Sequence, residues 1–235
     1  RLGFSPQAYR LAYHRLHTQG HHVQHMTHFA NADCIDREPS VDAQMECFTK
    51  TIEGLKGETS LANSAAILWH RNALGDWVRP GIMLHGISPT GMYQDIEHAH
   101  LKTVMSLSSK IISIQELQAG DAVGYGARYV AKQAMRLGVI ACGYADGYPR
   151  HAKDGTPVWV YGPQNKTQGA ICPIAGQVSM DMLTIDLSHA PWARVGTSVE
   201  LWGKNLPVDN VANHAQTIGY ELVCAIAPRV PVEII

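Results

Sequence analysis

Two tyrosines beside glycines are the residues of this chain best suited to moving a proton. Tyr125 stands in Val-Gly-Tyr-Gly at 123–126, and Tyr144 stands in Gly-Tyr-Ala-Asp-Gly-Tyr-Pro-Arg at 143–150. A neighbouring glycine frees the backbone for turn geometry and for close approach to a ligand, so a phenol can project from the end of a strand. A phenol placed in this way can act as a general acid or base. The alternative, from these residues alone, is a turn that carries a packing aromatic.

Two earlier loops have the composition of anion-binding sites. Ala-Asn-Ser-Ala-Ala at 62–66 places a hydroxyl and backbone N–H groups where a strand gives way to a helix, which favours phosphate. Ordinary helix capping by Ser64 is the alternative. Arg-Pro-Gly-Ile at 79–82 adds a glycine that a phosphate can approach and a guanidinium that can donate to a ring nitrogen. For Arg79 the alternative is a surface charge.

Strands and helices alternate up to about residue 95 and must position these loops. Ser5 and Ser40 predict the starts of two helices, which we expect to reach Leu16 and about Leu55. A short helix is predicted around 65–67. The predicted strands are the second half of 21–30, 58–63 and 78–84. Such alternation indicates βα units with a parallel sheet.

From Lys102 onward, strand candidates follow one another between glycine and proline turns, with helical segments only at about 209–227. The predicted strands are 104–114, 134–142, 157–161, 178–187 and 198–202. The sequence therefore predicts an α/β part at 1–98 and a mainly β domain at 99–235.

Composition excludes several classes of function. A net charge of −1 provides no field for nucleic acid, and no apolar stretch reaches the roughly 18–20 residues that span a bilayer. The five cysteines are widely spaced, which fits reduced thiols and a cytoplasmic protein and gives no support to a zinc site. The histidines at 21, 22, 25 and 28 suggest a metal site only weakly, and we expect none.

Eight motifs occur in an order that resembles one family. They are Arg-Leu-Gly at 1–3, Thr-His-Phe-Ala at 27–30, Ala-Asn-Ser-Ala at 62–65, Arg-Pro-Gly-Ile at 79–82, Gly-Tyr-Gly at 124–126, Gly-Tyr-Ala-Asp-Gly at 143–147, Ser-Met-Asp at 179–181 and Gly-Tyr-Glu at 219–221. Over nearly the whole chain, this order is similar to that of the alanine racemases. The resemblance implies the C-terminal part of a (β/α)8 TIM-type barrel that binds pyridoxal 5'-phosphate, followed by a β domain. It also implies head-to-tail homodimers whose active sites take residues from both subunits.

The resemblance assigns roles that fit the chemistry of racemisation, which needs acid/base groups on both faces of the α-carbon. It implies Tyr125 as the base for the L-enantiomer, supported by His28 and Arg79. Since a free phenol titrates at about 10, such neighbours must favour the phenolate. It implies Arg79 as the partner of the pyridine nitrogen, where it would discourage protonation of the ring. The residues implied to hold the phosphate are Ser64, Gly81, Ile82 and Tyr220.

The resemblance also assigns the substrate side. It implies that Arg1 and the main chain of Met180 meet the substrate carboxylate, and that Tyr144 and Asp181 narrow the entrance. Without the family, Met180 would be interpreted as strand core, Asp181 as a surface carboxylate and Tyr220 as a helix-packing aromatic. Two positions depart from the family pattern: Gln177, where arginine is common, and His85, where tyrosine is frequent.

The cofactor lysine of the family lies upstream of the Arg-Leu-Gly motif, and none of the eight lysines here stands in a matching motif. We therefore expect the chain to be a fragment that needs an N-terminal segment as its partner, either cleaved or absent, and to be inactive alone. The function implied is interconversion of L-alanine and D-alanine for peptidoglycan. The alternatives are a broad-specificity or serine racemase of the same fold and a non-catalytic cofactor-binding module.

Overall fold

The structure, a computed structural model, describes residues 2–163 and 168–234. Its contacts divide the chain into two units, residues 1–84 and residues 85–235. The first unit combines helices with a parallel strand pair, and the second is built on an antiparallel sheet. The domain boundary that we predict between residues 98 and 99 remains a prediction.

Helices and two short strands form the first unit. Their bounds are α1 (Pro6–Thr18), β1 (His25–Met26), α2 (Val41–Ile52), β2 (Thr59–Ser60) and α3 (Ser64–Trp69). Ser5 and Ser40 cap α1 and α2 as predicted, because each hydroxyl accepts a hydrogen bond of 3.3 Å from a backbone N–H of the first turn. Relative to the predicted ends, α1 is two residues longer and α2 three residues shorter.

The two strands pair in parallel, with His25 opposite Thr59 and Met26 opposite Ser60. This pairing agrees with the predicted βα units. Buried apolar side chains, among them Phe29, Val41 and Leu61, form the core beside the strands. Because that core contains residues of α2 and of both segments that follow the strands, it fixes where the site loops begin.

The predicted strand at 78–84 is wrong. Trp77 forms only an isolated parallel bridge to Ser60, and a 3-10 turn covers Ile82–His85. Pro80 has no N–H to donate to a ladder. Of the N–H groups that follow, those of Gly81 and Met83 donate to the Ser64 hydroxyl and not to a strand. The segment therefore forms a loop.

A six-stranded antiparallel sheet organises the second unit. Its strands are β3 (Leu107–Leu117), β6 (Met135–Ile140), β7 (Pro157–Tyr161), β8 (Gly169–Pro173), β9 (Leu183–Asp186) and β10 (Ser198–Trp202). The strand order is β8-β7-β10-β3-β6-β9. A separate two-stranded ribbon consists of β4 (Ala122–Val123) and β5 (Tyr129–Val130). The mainly β character predicted for this part is confirmed, and β7 and β10 have the predicted bounds.

The predicted strand at 178–187 is only partly correct, since β9 begins at Leu183. Both the amide and the hydroxyl of Ser179 donate to Met182 O, at 2.9 and 2.7 Å. These bonds close a turn over 179–182. The Ser-Met-Asp motif therefore lies in a turn before the strand, and Met180 is 53% exposed instead of belonging to the strand core.

Two short helices, α4 (Val208–His214) and α5 (Gly219–Cys224), complete the second unit. Its core includes Trp202, which stacks on Tyr148 with ring centroids 5.9 Å apart. Within the described parts of the chain, no helix combines the length and apolar character that crossing a bilayer requires.

Candidate active site

Ser64 is an acceptor at the start of α3 and not its cap. Asn63 caps the helix, because its Oδ1 accepts the Ala66 N–H at 3.0 Å. The alternative interpretation of Ser64 as the N-cap is therefore wrong. Its buried Oγ instead accepts the N–H groups of Gly81 at 2.9 Å and of Met83 at 3.4 Å. The N–H groups of Gly81 and Met83 thus converge on the Ser64 hydroxyl.

Gly81 leaves room beside these donors. A Cβ placed on Gly81 would meet only Ser64 Oγ, at 3.9 Å. The next residue, Ile82, is buried, which anchors the turn that presents the N–H groups. A glycine with open space, adjacent N–H groups and a hydroxyl together form the kind of cradle that a phosphate oxygen occupies.

Arg79 is fixed by acceptors from both parallel strand segments. Its Nη1 donates to Ser60 Oγ at 2.7 Å, and its Nη2 lies 2.8 Å from Thr27 O and 3.2 Å from Leu61 O. Its backbone N–H donates to Ala62 O at 2.8 Å. Burial lowers the pKa of the Arg79 guanidinium, yet arginine remains cationic in proteins. The charge is therefore held in one position.

Arg79 also reaches His28, with 3.3 Å between Nη2 and His28 Nδ1. Because a guanidinium can only donate, Nδ1 must be the acceptor in this contact. The neutral His28 ring then carries its proton on Nε2 and can donate from that atom. The structure thus brings together two of the three residues proposed for proton transfer.

Tyr125 lies in a different environment. Gly124 and Gly126 flank it with φ of 72° each, in the left-handed region, which explains why glycine occupies both positions. The side chain is 76% exposed, and among the described residues its hydroxyl has no hydrogen-bond partner. Tyr125 belongs to residues 85–235, whereas His28 and Arg79 belong to residues 1–84. The predicted contact between them remains a prediction.

Tyr144 and Met180 lie on segments that bond to each other. The N–H groups of Tyr144 and Ala145 donate to Ser179 O and Met180 O, at 3.0 and 2.9 Å. Gly143 is required for this approach, because a Cβ there would lie 2.3 Å from Met180 O. Within residues 2–163 and 168–234, the Met180 N–H has no protein acceptor. It remains available for a ligand.

Arg229, which the sequence analysis missed, connects these segments. Its Nε and Nη2 lie 2.7 Å from Asp146 Oδ1 and from Asp181 Oδ1. Burial by itself raises the pKa of Asp146, but hydrogen bonds from Arg229 and from the Gly143 N–H outweigh it, so the pKa is lowered. No local pattern marks Arg229, since its partners are 83 and 48 residues away in the chain.

The structure describes some of the remaining predicted residues but not all of them. Tyr220 is the second residue of α5 and is 39% exposed. Arg1 lies outside the described residues. His25, from the histidine cluster, is buried with Nδ1 2.6 Å from the Tyr9 hydroxyl. In the part of the chain that the structure describes, no three His, Cys, Asp or Glu residues are grouped as metal ligands.

Comparison with known proteins assigns the chain to a family. A model of the alanine racemase N-terminal domain matches residues 1–89, and a model of the alanine racemase C-terminal domain matches residues 104–234. The chain belongs to the alanine racemase family. An alanine racemase from Ralstonia nicotianae is 52% identical over 240 residues, covering 100% of this chain and 61% of the relative.

Solved alanine racemase structures share the fold. The biosynthetic alanine racemase of Pseudomonas aeruginosa matches with a TM-score of 0.90 and 45% identity, over 98% of this chain and 63% of that chain. The alanine racemase of Bartonella henselae, solved with covalently bound pyridoxal phosphate, matches with a TM-score of 0.79 and 26% identity, over 94% and 59%. The chain therefore spans about three fifths of the length of the alanine racemases it matches.

Gln177 stands where the resemblance leads us to expect arginine, and the structure gives it a defined place. Its Oε1 accepts from Arg128 Nη1 at 2.8 Å, and its Nε2 donates to Arg150 O. Arg128 also donates to Gly176 O at 3.1 Å. The amide thus ties the segment before the Ser-Met-Asp turn to the chain that follows Tyr125.

Proposed function

We propose that this chain is the larger part of a pyridoxal-phosphate-dependent alanine racemase that interconverts L-alanine and D-alanine in the cytoplasm and supplies D-alanine for peptidoglycan. The observation that carries the proposal is the pairing of Arg79 with His28 in the same unit as the Ser64–Gly81 cradle. One unit thereby contains a candidate anion site and a fixed cation whose histidine partner can donate a hydrogen bond.

The residues fit the cofactor. The Ser64 hydroxyl, which accepts the Gly81 and Met83 N–H groups, would donate its own proton to a phosphate oxygen beside Gly81 and Ile82, and Tyr220 would add its hydroxyl. Arg79 would face the pyridine nitrogen and, as a permanent cation, would oppose its protonation. When bound, the cofactor supplies a ring that accepts the electrons left at the substrate α-carbon.

Tyr125 is proposed to remove the α-proton of L-alanine. His28, protonated on Nε2 by virtue of its contact with Arg79, would donate to the phenolate and so lower the barrier to its formation. The exposure of Tyr125 suits a side chain that completes a site only on assembly. We propose that it does so in a head-to-tail homodimer, with each site drawing on both subunits.

The substrate carboxylate is proposed to lie against the Met180 N–H, which has no acceptor among the described residues, together with Arg1. Tyr144 and Asp181, beside it, would narrow the entrance so that a small side chain is preferred.

Activity is proposed to need a further segment that carries the cofactor lysine. Two observations support this: the chain covers 61% of its Ralstonia nicotianae relative, and its eight lysines stand in none of the family's lysine motifs. The opposite acid/base group would come from that segment.

Chiral analysis of the assembled protein tests the proposed function. The chain together with its N-terminal segment and pyridoxal phosphate should convert L-alanine to D-alanine and the reverse, and should do so faster than it converts L-serine. Intact mass measurement of the purified sample would show whether a companion of roughly 100–130 residues, the size of a missing half-barrel, is present.

The alternatives predict different results. Serine turnover equal to or above alanine turnover would indicate a broad-specificity or serine racemase. Saturable cofactor binding with no turnover of either amino acid would indicate a binding module and would overturn the proposal.

A further inference from the structure

One guanidinium holds both segments that carry the proposed entrance residues. Arg229 donates to Asp181, which follows Met180, and to Asp146, which lies two residues after Tyr144. The other oxygen of Asp146, Oδ2, accepts the Gly143 N–H at 2.9 Å and closes the Tyr144 turn. The carboxylate of Asp146 thus links Arg229 to the turn that carries Tyr144.

Backbone bonds join the same segments. The Ala227 N–H donates to Asp146 O at 3.1 Å, in addition to the bonds from Tyr144 and Ala145 to the Ser179 and Met180 carbonyls. Gly147 permits the approach, since a Cβ there would lie 2.3 Å from Ala225 O. The segment that contains Arg229 is therefore part of the framework of the entrance.

The ion pairs differ in their environment. Isolated exposed ion pairs contribute little to stability, and the side chains of Arg229 and Asp181 are 48% and 56% exposed. Asp146 is only 18% exposed, and a single guanidinium serves both carboxylates. Such a shared, partly buried arrangement fixes geometry better than a single exposed pair. Without Arg229, two carboxylates would remain close together without a counter-charge.

We propose that Arg229 is a positioning residue that sets the affinity for the amino acid substrate by holding Asp181 and the Met180 N–H in place at the entrance. The proposal rests on the proposed racemase function and concerns substrate binding, not proton transfer. It assigns Arg229 no contact with the substrate.

The test compares Arg229→Gln and Arg229→Lys in the complete enzyme, with Arg136→Gln as the matched control. Arg136 is an arginine of the same unit that bonds to Pro191 O and Ala193 O, away from these segments. For Arg229→Gln we expect KM for L-alanine to rise about 10-fold while kcat changes less than about threefold, the loss typical of a charged hydrogen bond. Arg229→Lys should recover part of this affinity.

Amide hydrogen exchange supplies the second measurement. Exchange of the Tyr144, Ala145 and Ala227 amides should accelerate about 10-fold or more in Arg229→Gln and remain unchanged in Arg136→Gln. Unchanged KM and unchanged exchange in Arg229→Gln would overturn the proposal, and so would equal effects in the control. If Arg229→Gln does not fold, the same comparison is made with Arg229→Lys.

The two proposals fail in distinguishable ways. If the wild type racemises neither alanine nor serine, the proposed function fails, and substrate affinity set by Arg229 fails with it, whatever the exchange data. If the wild type racemises alanine and KM does not respond to Arg229, only the positioning role fails.

Discussion

Arg79 and Tyr125, which the proposed mechanism joins, are held in contrasting ways. Arg79 is partly buried and bonds to two carbonyls, a hydroxyl and an imidazole within residues 1–84. Tyr125 is 76% exposed, in a turn whose left-handed φ values the flanking glycines permit. The residue proposed to face the cofactor is thus held by several hydrogen bonds, whereas the residue proposed to transfer the proton is exposed. Substitutions of Tyr125, Arg79 and Gly81 test the two sides of this contrast.

Tyr125→Phe should have the largest effect, because it removes the proposed proton-transferring oxygen while leaving the glycine-defined turn intact. We expect kcat in the complete enzyme to fall by about 10² to 10⁴ with little change in cofactor absorbance. Tyr129→Phe is the control, since Tyr129 is also in this unit but its hydroxyl contacts Met135 Sδ at 3.4 Å. Near-normal turnover of both enantiomers by Tyr125→Phe would remove the base assignment.

Asp209→Asn tests how a buried carboxyl of the second unit makes stability depend on pH. Asp209 is fully buried, its Oδ2 accepts the Ser88 N–H at 3.3 Å, and a Cβ on Gly219 would lie 3.3 Å from its Oδ1. Burial raises the pKa of Asp209 to about 6. Between about pH 4 and 6 the folded state holds a proton that the unfolded state has released, so the stability of the wild type falls as pH rises through this window.

Asp209→Asn should lack this loss of stability. We expect its free energy of unfolding to exceed that of the wild type by at most about 3 kcal/mol at pH 8 and to differ little from it near pH 4. Thermal unfolding at several pH values measures it. Asp76→Asn should behave in the opposite way, because hydrogen bonds from the Thr59 N–H and hydroxyl lower the pKa of Asp76. The stabilisation that Asp76 gives the wild type is present above the pKa of this carboxyl in the unfolded chain. It is lost as the pH falls through the lower pKa in the folded state. Parallel pH profiles for wild type and Asp209→Asn would contradict the prediction.

Arg79→Glu should disrupt the hydrogen bonds that Arg79 makes on the proposed cofactor side of the site. It replaces a donor to several fixed acceptors by a carboxylate that favours a protonated pyridine nitrogen. We expect racemisation to fall about 10- to 100-fold, with a changed cofactor absorption spectrum and side transamination. Arg79→Lys, which keeps the charge, should preserve the spectrum better. An unchanged spectrum in Arg79→Glu would argue against contact with the ring.

Gly81→Ala should have the smallest effect and the most localised one. Its Cβ would meet only Ser64 Oγ at 3.9 Å, so the fold should tolerate it, while the methyl group would fill the proposed phosphate space. We expect cofactor affinity to fall about 10-fold with unchanged melting temperature of the cofactor-free protein. Gly143→Ala is the contrasting variant, because its Cβ would collide with the Met180 carbonyl and disturb the entrance. Unchanged cofactor affinity in Gly81→Ala would exclude the cradle.

Local signals predicted the elements that depend on local chemistry. Serine caps at Ser5 and Ser40 identified two helix starts, and apolar runs between turn residues gave the bounds of β7 and β10. The strand β8 was missed because Gly169 and Pro173 at its ends suggest a loop. It forms because a glycine permits close packing, since a Cβ on Gly169 would lie 2.4 Å from Val160 O. That contact depends on the neighbouring strand.

The sequence by itself determined the order of the motifs and the family they resemble, and it supplied the candidates for the reactive residues, because these depend on residue type and spacing. Only the tertiary structure decided that Asn63 rather than Ser64 caps α3, that Arg79 meets His28, and that Arg229 bridges Asp146 and Asp181. Hydrogen bonds between such groups depend on positions that distant segments take when the core packs. No spacing along the chain encodes those positions directly.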